Sequence, residues 1–160
     1  MLSSFQHRFC IFVLFGTTAA MAHAQQSVHT PKPGSSERQA ICDAARSFVL
    51  SKYATGTLPQ PIVFRIDRIS VEDPYCYFEA IPLFKDGSYI PPNYIADIGY
   101  HLCLRKAAGG WTVIVDLSRS DVPDAAEVQA IRRRIPRDFP LSLFSPTWRN
   151  LLGESPAKSP

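Results

Sequence analysis

The sequence predicts an α+β fold: one N-terminal helix packed on a curved antiparallel sheet of about four strands, with a short C-terminal helix and a wrapped apolar tail. Three observations lead there. Apolar residues recur at steps of three and four near the start of the chain and again near residue 130. Between those stretches, four segments alternate with a period near two. No alternating strand–helix pattern and no internal repeat occurs, which argues against a parallel α/β sheet.

The chain opens with a leader. Arg8 precedes an apolar run from Phe9 to Phe15, and Ala22-His23-Ala24 offers small residues around a cut. These features predict a secretory signal peptide over 1–24. The run is well short of the roughly 20 apolar residues that a spanning helix needs, and Cys10 stands near its start, where a lipoprotein signal would not place it. The expected location is therefore periplasmic or secreted, with no stable membrane insertion after cleavage. Without Arg8, 16 basic residues face 14 acidic ones, a balance of +2 that gives no basis for nucleic-acid binding. The 136 residues from Gln25 onward suit one domain of ordinary size.

Each element has a local signal. Residues 25–36 carry Pro31, Pro33 and Gly34 and read as a flexible lead-in to a domain over 37–152. Ser35 or Ser36 can cap a helix over 37–53, whose stripe is Ile41, Cys42, Ala45, Phe48, Val49 and Tyr53. In the strand over 62–71, Ile62, Phe64 and Ile66 share one parity while Ile69 and Val71 share the other. That slip predicts a bulge or bend near Asp67-Arg68. Asp73-Pro74 marks a turn into a second strand over 75–84, with Cys76, Phe78 and Ala80 on its more apolar face. The Tyr- and Pro-rich stretch 85–97 reads as a loop folded over the domain. Strands 98–106 and 111–118 form a hairpin across Ala107 to Gly110, with Tyr100, Leu102 and Leu104 facing Trp111, Val113, Val115 and Leu117. Asp121 is the expected cap of a second helix whose stripe is Val128, Ile131 and Ile135 and whose last turn holds Arg132, Arg133 and Arg134. Pro136 ends it, and 153–160 reads as a frayed end.

The first helix runs Gly34-Ser35-Ser36-Glu37-Arg38-Gln39-Ala40-Ile41-Cys42-Asp43-Ala44-Ala45-Arg46. It resembles the opening of a family of small exported bacterial proteins, in which G-S-x-x-R-x-A-I-x-D-A-x-R precedes a bent strand. Leu104-Arg105-Lys106, Gly110-Trp111 and Ser120-Asp121-Val122 are similar to that family's hairpin and following turn. The resemblance covers 34–122 and implies a fold but no activity. The loop at 88–97 and the apolar tail depart from the family pattern. The element order also resembles cystatin-like and NTF2-like domains, an analogy of architecture that carries no function.

The candidate chemistry is sparse. Asp67, Asp97, Asp116 and His101 are the acids and the base nearest strands, and an NTF2-like enzyme would converge such groups in a pocket. Parity instead puts His101 on the outer face with Cys103 and Arg105, so a Cys103–His101 nucleophile pair is a weaker reading than a structural thiol. Three cysteines, Cys42, Cys76 and Cys103, remain after the leader, in no zinc-ligand spacing. Parity turns Cys42 and Cys76 inward, and they are the favoured disulfide pair in an oxidising compartment, with two buried free thiols as the alternative. No cofactor is expected.

The favoured expectation is thus a non-enzymatic exported domain that binds another envelope protein, with an inhibitor or immunity-type role among the options. Its candidate contacts are Tyr89 and Tyr94 in the loop, Arg133 and Arg137 in the basic cluster, and Phe144 and Trp148 in the tail. The alternative is an NTF2-like pocket for a small apolar ligand, lined by Phe64, Phe78, Tyr100 and Trp111. The tail either docks a partner or packs back to complete the core. Pro136, Pro140 and Pro146 favour a chain wrapped over a surface.

Overall fold

A computed structural model of the chain describes residues 27–119 and 121–153. The expected leader over 1–24, Ser120 and the tail beyond Gly153 lie outside the described residues.

Helix α1 spans Ser36–Tyr53. The Ser35 side chain accepts from the Arg38 amide at 3.2 Å, and Glu37 stands in the first turn, where its charge suits the helix dipole. Ile41, Ala45 and Val49 are wholly buried against the sheet. The sheet is antiparallel with the strand order β1(Ile62–Glu72), β2(Tyr75–Phe84), β3(Tyr100–Ala107) and β4(Gly110–Asp116). The fold class is the one the sequence predicts.

Two bulges set which residues face α1. In β1 the register steps from Ile66↔Ala80 to Arg68↔Glu79, leaving Asp67 as the extra residue. The predicted phase slip is this bulge. It lets Ile62, Phe64 and Ile66 before it, and Ile69 and Val71 after it, all join the core under α1. A second bulge was not legible. The register of β3 with β4 steps from Leu104↔Val113 to Cys103↔Val115, so Ile114 is extra. The expected common face of Trp111, Val113, Val115 and Leu117 is corrected accordingly. Trp111 and Val113 face α1, while Val115 and Leu117 turn to the opposite face. An inserted residue reverses the pleat, and here it also carries Asp116 to the α1 side.

The opposite face is covered as well. Helix α2 (Ala125–Arg134), a 3₁₀ turn at Leu141–Leu143 and helix α3 (Pro146–Gly153) lie across it. The cap of α2 is Asp124, not the expected Asp121. Its carboxylate accepts from the Glu127 amide at 2.8 Å while the Glu127 carboxylate accepts from the Asp124 amide at 3.0 Å. That reciprocal box satisfies two otherwise unpaired donors, which Asp121, one turn too early, does not. Pro146 opens α3, where a missing N–H leaves no helical bond unmade.

The tail therefore packs back on the sheet. Phe139, Leu143, Phe144, Trp148 and Leu152 join Tyr75, Tyr77, Cys103, Val115 and Leu117 in a second core. The Phe144 ring lies 5.0 Å from that of Tyr77 and 5.1 Å from that of Phe139. Contacts of this kind contribute about 0.5–1.5 kcal/mol each beyond area burial. The loop 85–99 belongs to the first core through Ile90, Ile95 and Tyr94, and the Thr55 amide donates to the Tyr94 carbonyl at 2.9 Å.

Phe144 is wholly buried at the centre of the second core. Phe144→Ala should lower the unfolding free energy by about 3–5 kcal/mol in urea titration. A loss of a few tenths would mean that the tail rests loosely on the sheet.

Candidate functional site

On the tail-covered face, β2 and β3 bring together three polar side chains. Glu79 and His101 are cross-strand partners, and Tyr77 is two residues from Glu79 on the same face. The Tyr77 hydroxyl donates to Glu79 Oε2 at 3.1 Å and lies 2.9 Å from His101 Nδ1. Glu79 Oε1 stands 3.8 Å from that nitrogen. The edge of Trp148 closes over the imidazole, with centroids 5.9 Å apart. Gly99 flanks the other ring nitrogen closely: a Cβ there would sit 3.2 Å from His101 Nε2.

Glu79 and His101, with Tyr77 buried behind them, form the polar floor of a cleft of about 500 Å³ between the sheet and the C-terminal segment. Arg119, Val122, Pro123, Ser145, Pro146 and Leu151 contribute to its walls. Arg119 is itself held by Glu127 at 2.7 Å. Burial pulls the His101 pKa below its ordinary value, against the opposing pull of Glu79, Asp67 and Asp116. Burial likewise pushes the Tyr77 hydroxyl far above the usual phenol range. Burial thus favours the neutral imidazole of His101 and the neutral phenol of Tyr77.

A second cluster sits under α1. Asp116, brought there by the β4 bulge, accepts from Lys52, from the Tyr53 hydroxyl at 2.5 Å and from the Ser118 amide at 2.9 Å. Burial opposes its ionisation, but the bonds from Lys52, Ser118 and Tyr53 prevail and hold its pKa below the usual carboxylate range. The cluster ties the last turn of α1 to the end of β4.

The acids and base singled out from sequence do not converge. Asp67 is exposed at the β1 bulge, Asp97 is exposed in the loop, and Asp116 lies on the α1 side. The acid that meets His101 is Glu79, which sequence reasoning passed over. Its parity, opposite to Phe78 and Ala80, was the available signal. His101 does lie on the face expected for it, but that face is covered rather than open, because the tail returns across it. Cys103 shares the face, is wholly buried, and burial drives its thiol pKa well up, which suits a core residue and not a nucleophile.

The remaining candidates are dispersed. Phe144 and Trp148, expected as partner contacts, are buried in the second core because their rings pack on Tyr77 and His101. Tyr89 is exposed, its hydroxyl accepting from Arg65 at 3.1 Å, while half-buried Tyr94 packs on Phe84. Arg133 and Arg137 are exposed at and just after the end of α2, away from that loop. Of the expected pocket lining, Phe78 and Tyr100 are wholly buried and Phe64 packs edge-on to Phe78 at 5.1 Å. These aromatics fill the space under α1 rather than line a cavity there. Trp111 borders a different depression, at the α1–β4 edge. Cys42 and Cys76 are free thiols rather than a disulfide. Both face the α1 side, but Cys42 is only half-buried, beside the line of Ile41, Ala45 and Val49 that meets the sheet. Among the described residues, no group of three or more His, Cys, Asp or Glu is placed to hold a metal ion.

The His101 shift makes stability depend on pH. Its folded pKa is lowered, so the unfolded chain binds the proton more readily, and stability falls as pH drops below about 6.5. Asp116, also lowered, adds a separate loss only below about pH 3.8. Thermal melts of His101→Gln should lose the upper step and keep the lower one. An unchanged upper step would show that another group carries it. Compared with protein families, with curated proteins and with solved structures, the chain matches none, which leaves the geometry of this cleft as the ground for a functional reading.

Proposed function

We propose that the chain works after export as a non-enzymatic recognition domain of the cell envelope, and that the cleft at Glu79 and His101 receives an apolar side chain of a protein partner. The leader over 1–24 supports export. The composition of the cleft carries the rest. Its walls set Trp148, Leu151, Pro146 and Val122 beside Arg119, Asp121, Ser145 and Thr147, and its floor offers Glu79 and His101 as orienting polar groups. Val122 is 82 % exposed on the rim, an apolar side chain left largely open to solvent. An apolar depression with a few fixed polar groups suits an anchor residue from a partner. The neutral His101, its Nδ1 engaged by Tyr77, and the deeply buried Cys76 and Cys103 support a binding role over acid–base or thiol chemistry. Size and export fit an inhibitor or immunity-type role.

One observation favours a second reading. A volume of about 500 Å³ lies within the range of small-molecule sites, so a compact apolar ligand is the alternative occupant.

Photo-crosslinking from position 122 of the mature chain in envelope extract tests the proposal. The expected result is one protein adduct of defined mass. Val122→Glu should weaken that partner's binding at least tenfold while leaving the melting temperature unchanged. Capture that Val122→Glu leaves intact would overturn the cleft as the contact site. A small molecule found by native mass spectrometry, with no protein adduct, would favour the alternative.

A further inference from the structure

The two edges of the sheet are treated differently. At the β1 edge, the amide and carbonyl of Val71 are both taken up by His29, at 2.8 and 2.9 Å. That strand also carries exposed Arg65 and Asp67, and Asp67 is a bulge. Both edge strands carry a bulge, at Asp67 and at Ile114, but exposed charges and a covering segment, further means of blocking an edge from pairing with another chain, are present at β1. At the other edge, β4 pairs with β3 alone among the described residues. From Trp111 to Val115 it has no charge and no proline, and four of its five residues are β-branched. Ile114 is 38 % exposed.

The residues of α1 that border this edge are uncharged, with Lys52 over the Phe48 ring at 5.6 Å at one end. Ala44, Ser47 and Ser51, with Phe48, border a depression of about 470 Å³ against Trp111 and Val113. In addition, α1 packs more closely over β4 than over β1, so the helix comes nearest the sheet at this edge.

We propose that β4 is the seam of a homodimer. Two copies pair β4 with β4 antiparallel about a two-fold axis, forming one continuous sheet, and their α1 helices lie side by side above the seam. The unpaired main chain of an edge strand calls for another strand. The position of α1 selects a second copy over a lone peptide. A strand added beyond β4 lies outside the cover of α1, and its apolar side chains on that face would meet water. A second copy brings its own α1 to cover them. The small side chains on the α1 flank let two helices approach to about 8 Å, which closes both depressions. The stretch Trp111 to Val115 carries no charge, and Asp116 beyond it is turned to α1 and held by Lys52, so the two-fold sets no like charges opposite one another within that stretch. The bend at Ile114 discourages a straight foreign strand, whereas a two-fold mate carries the same bend.

Sedimentation of the mature chain across the micromolar range tests this. The expected result is a concentration-dependent species of twice the chain mass. Ile114→Lys and Ser47→Glu, both at solvent-accessible positions, should each raise the dissociation constant at least tenfold while the far-ultraviolet spectrum stays that of the parent. Val122→Glu, in the cleft, should leave the dimer intact, so failure of the cleft proposal and failure of this one are separable. A monomer at every concentration, or a dimer indifferent to both seam variants, would overturn the proposal.

Discussion

Burial of β2 and β3 on both faces is the constraint around which the rest of the molecule is arranged. Cys76, Phe78, Leu102 and Leu104 on one face, and Tyr75, Tyr77 and Cys103 on the other, are all excluded from water. A strand pair of that kind is stable only if something apolar covers each side. The helix α1 supplies one cover. The second is assembled from α2, the 3₁₀ turn and α3, which have little interior of their own and gain their stability from the sheet beneath them. Losing either layer would expose the aromatic rings beneath it to water.

The same constraint generates the polar features. Covering a strand that still carries Glu79 and His101 forces those groups to satisfy one another, and Tyr77 provides the common partner. Where α3 stops short of closing over them, a cleft remains. On the α1 side, the bulge at Ile114 turns Asp116 inward, and Lys52 and Tyr53 meet it there. In both clusters the polar side chains taken from water are thus matched by a donor or acceptor, as burial demands. The β4 edge is the counterpart in main-chain terms: its apolar run has a ladder partner on one side and none on the other among the described residues.

Much of this was legible in the sequence, and the omissions have physical reasons. The helix stripe of Ile41, Ala45 and Val49 stands out by its spacing of four, with Arg38, Asp43, Arg46 and Lys52 falling off it. The slip at Asp67 is visible because Arg65, Asp67 and Arg68 mark which positions face water. The bulge at Ile114 left no such mark: Val113, Ile114 and Val115 are all apolar, and parity cannot be read from a uniform run. The outward face of the sheet looked open because its cover arrives last in the chain, from segments that read equally well as a docking tail. Glu79 was overlooked for the same reason. A glutamate on a strand face reads as solvated until a distant segment closes over it. The disulfide expectation rested on parity alone, which places Cys42 and Cys76 on one face without bringing their sulfurs into bonding range.

Thiol labelling of the mature, native chain, followed by mass spectrometry, tests the double burial most directly. The three cysteines report separate places: Cys42 half-buried beside α1, Cys76 beneath α1, and Cys103 beneath the C-terminal layer. The account predicts that Cys42 reacts first, and that Cys76 and Cys103 react together, only at the rate of global unfolding. Labelling of Cys103 as fast as Cys42 would contradict it, since the second face of the sheet would then be open to solvent.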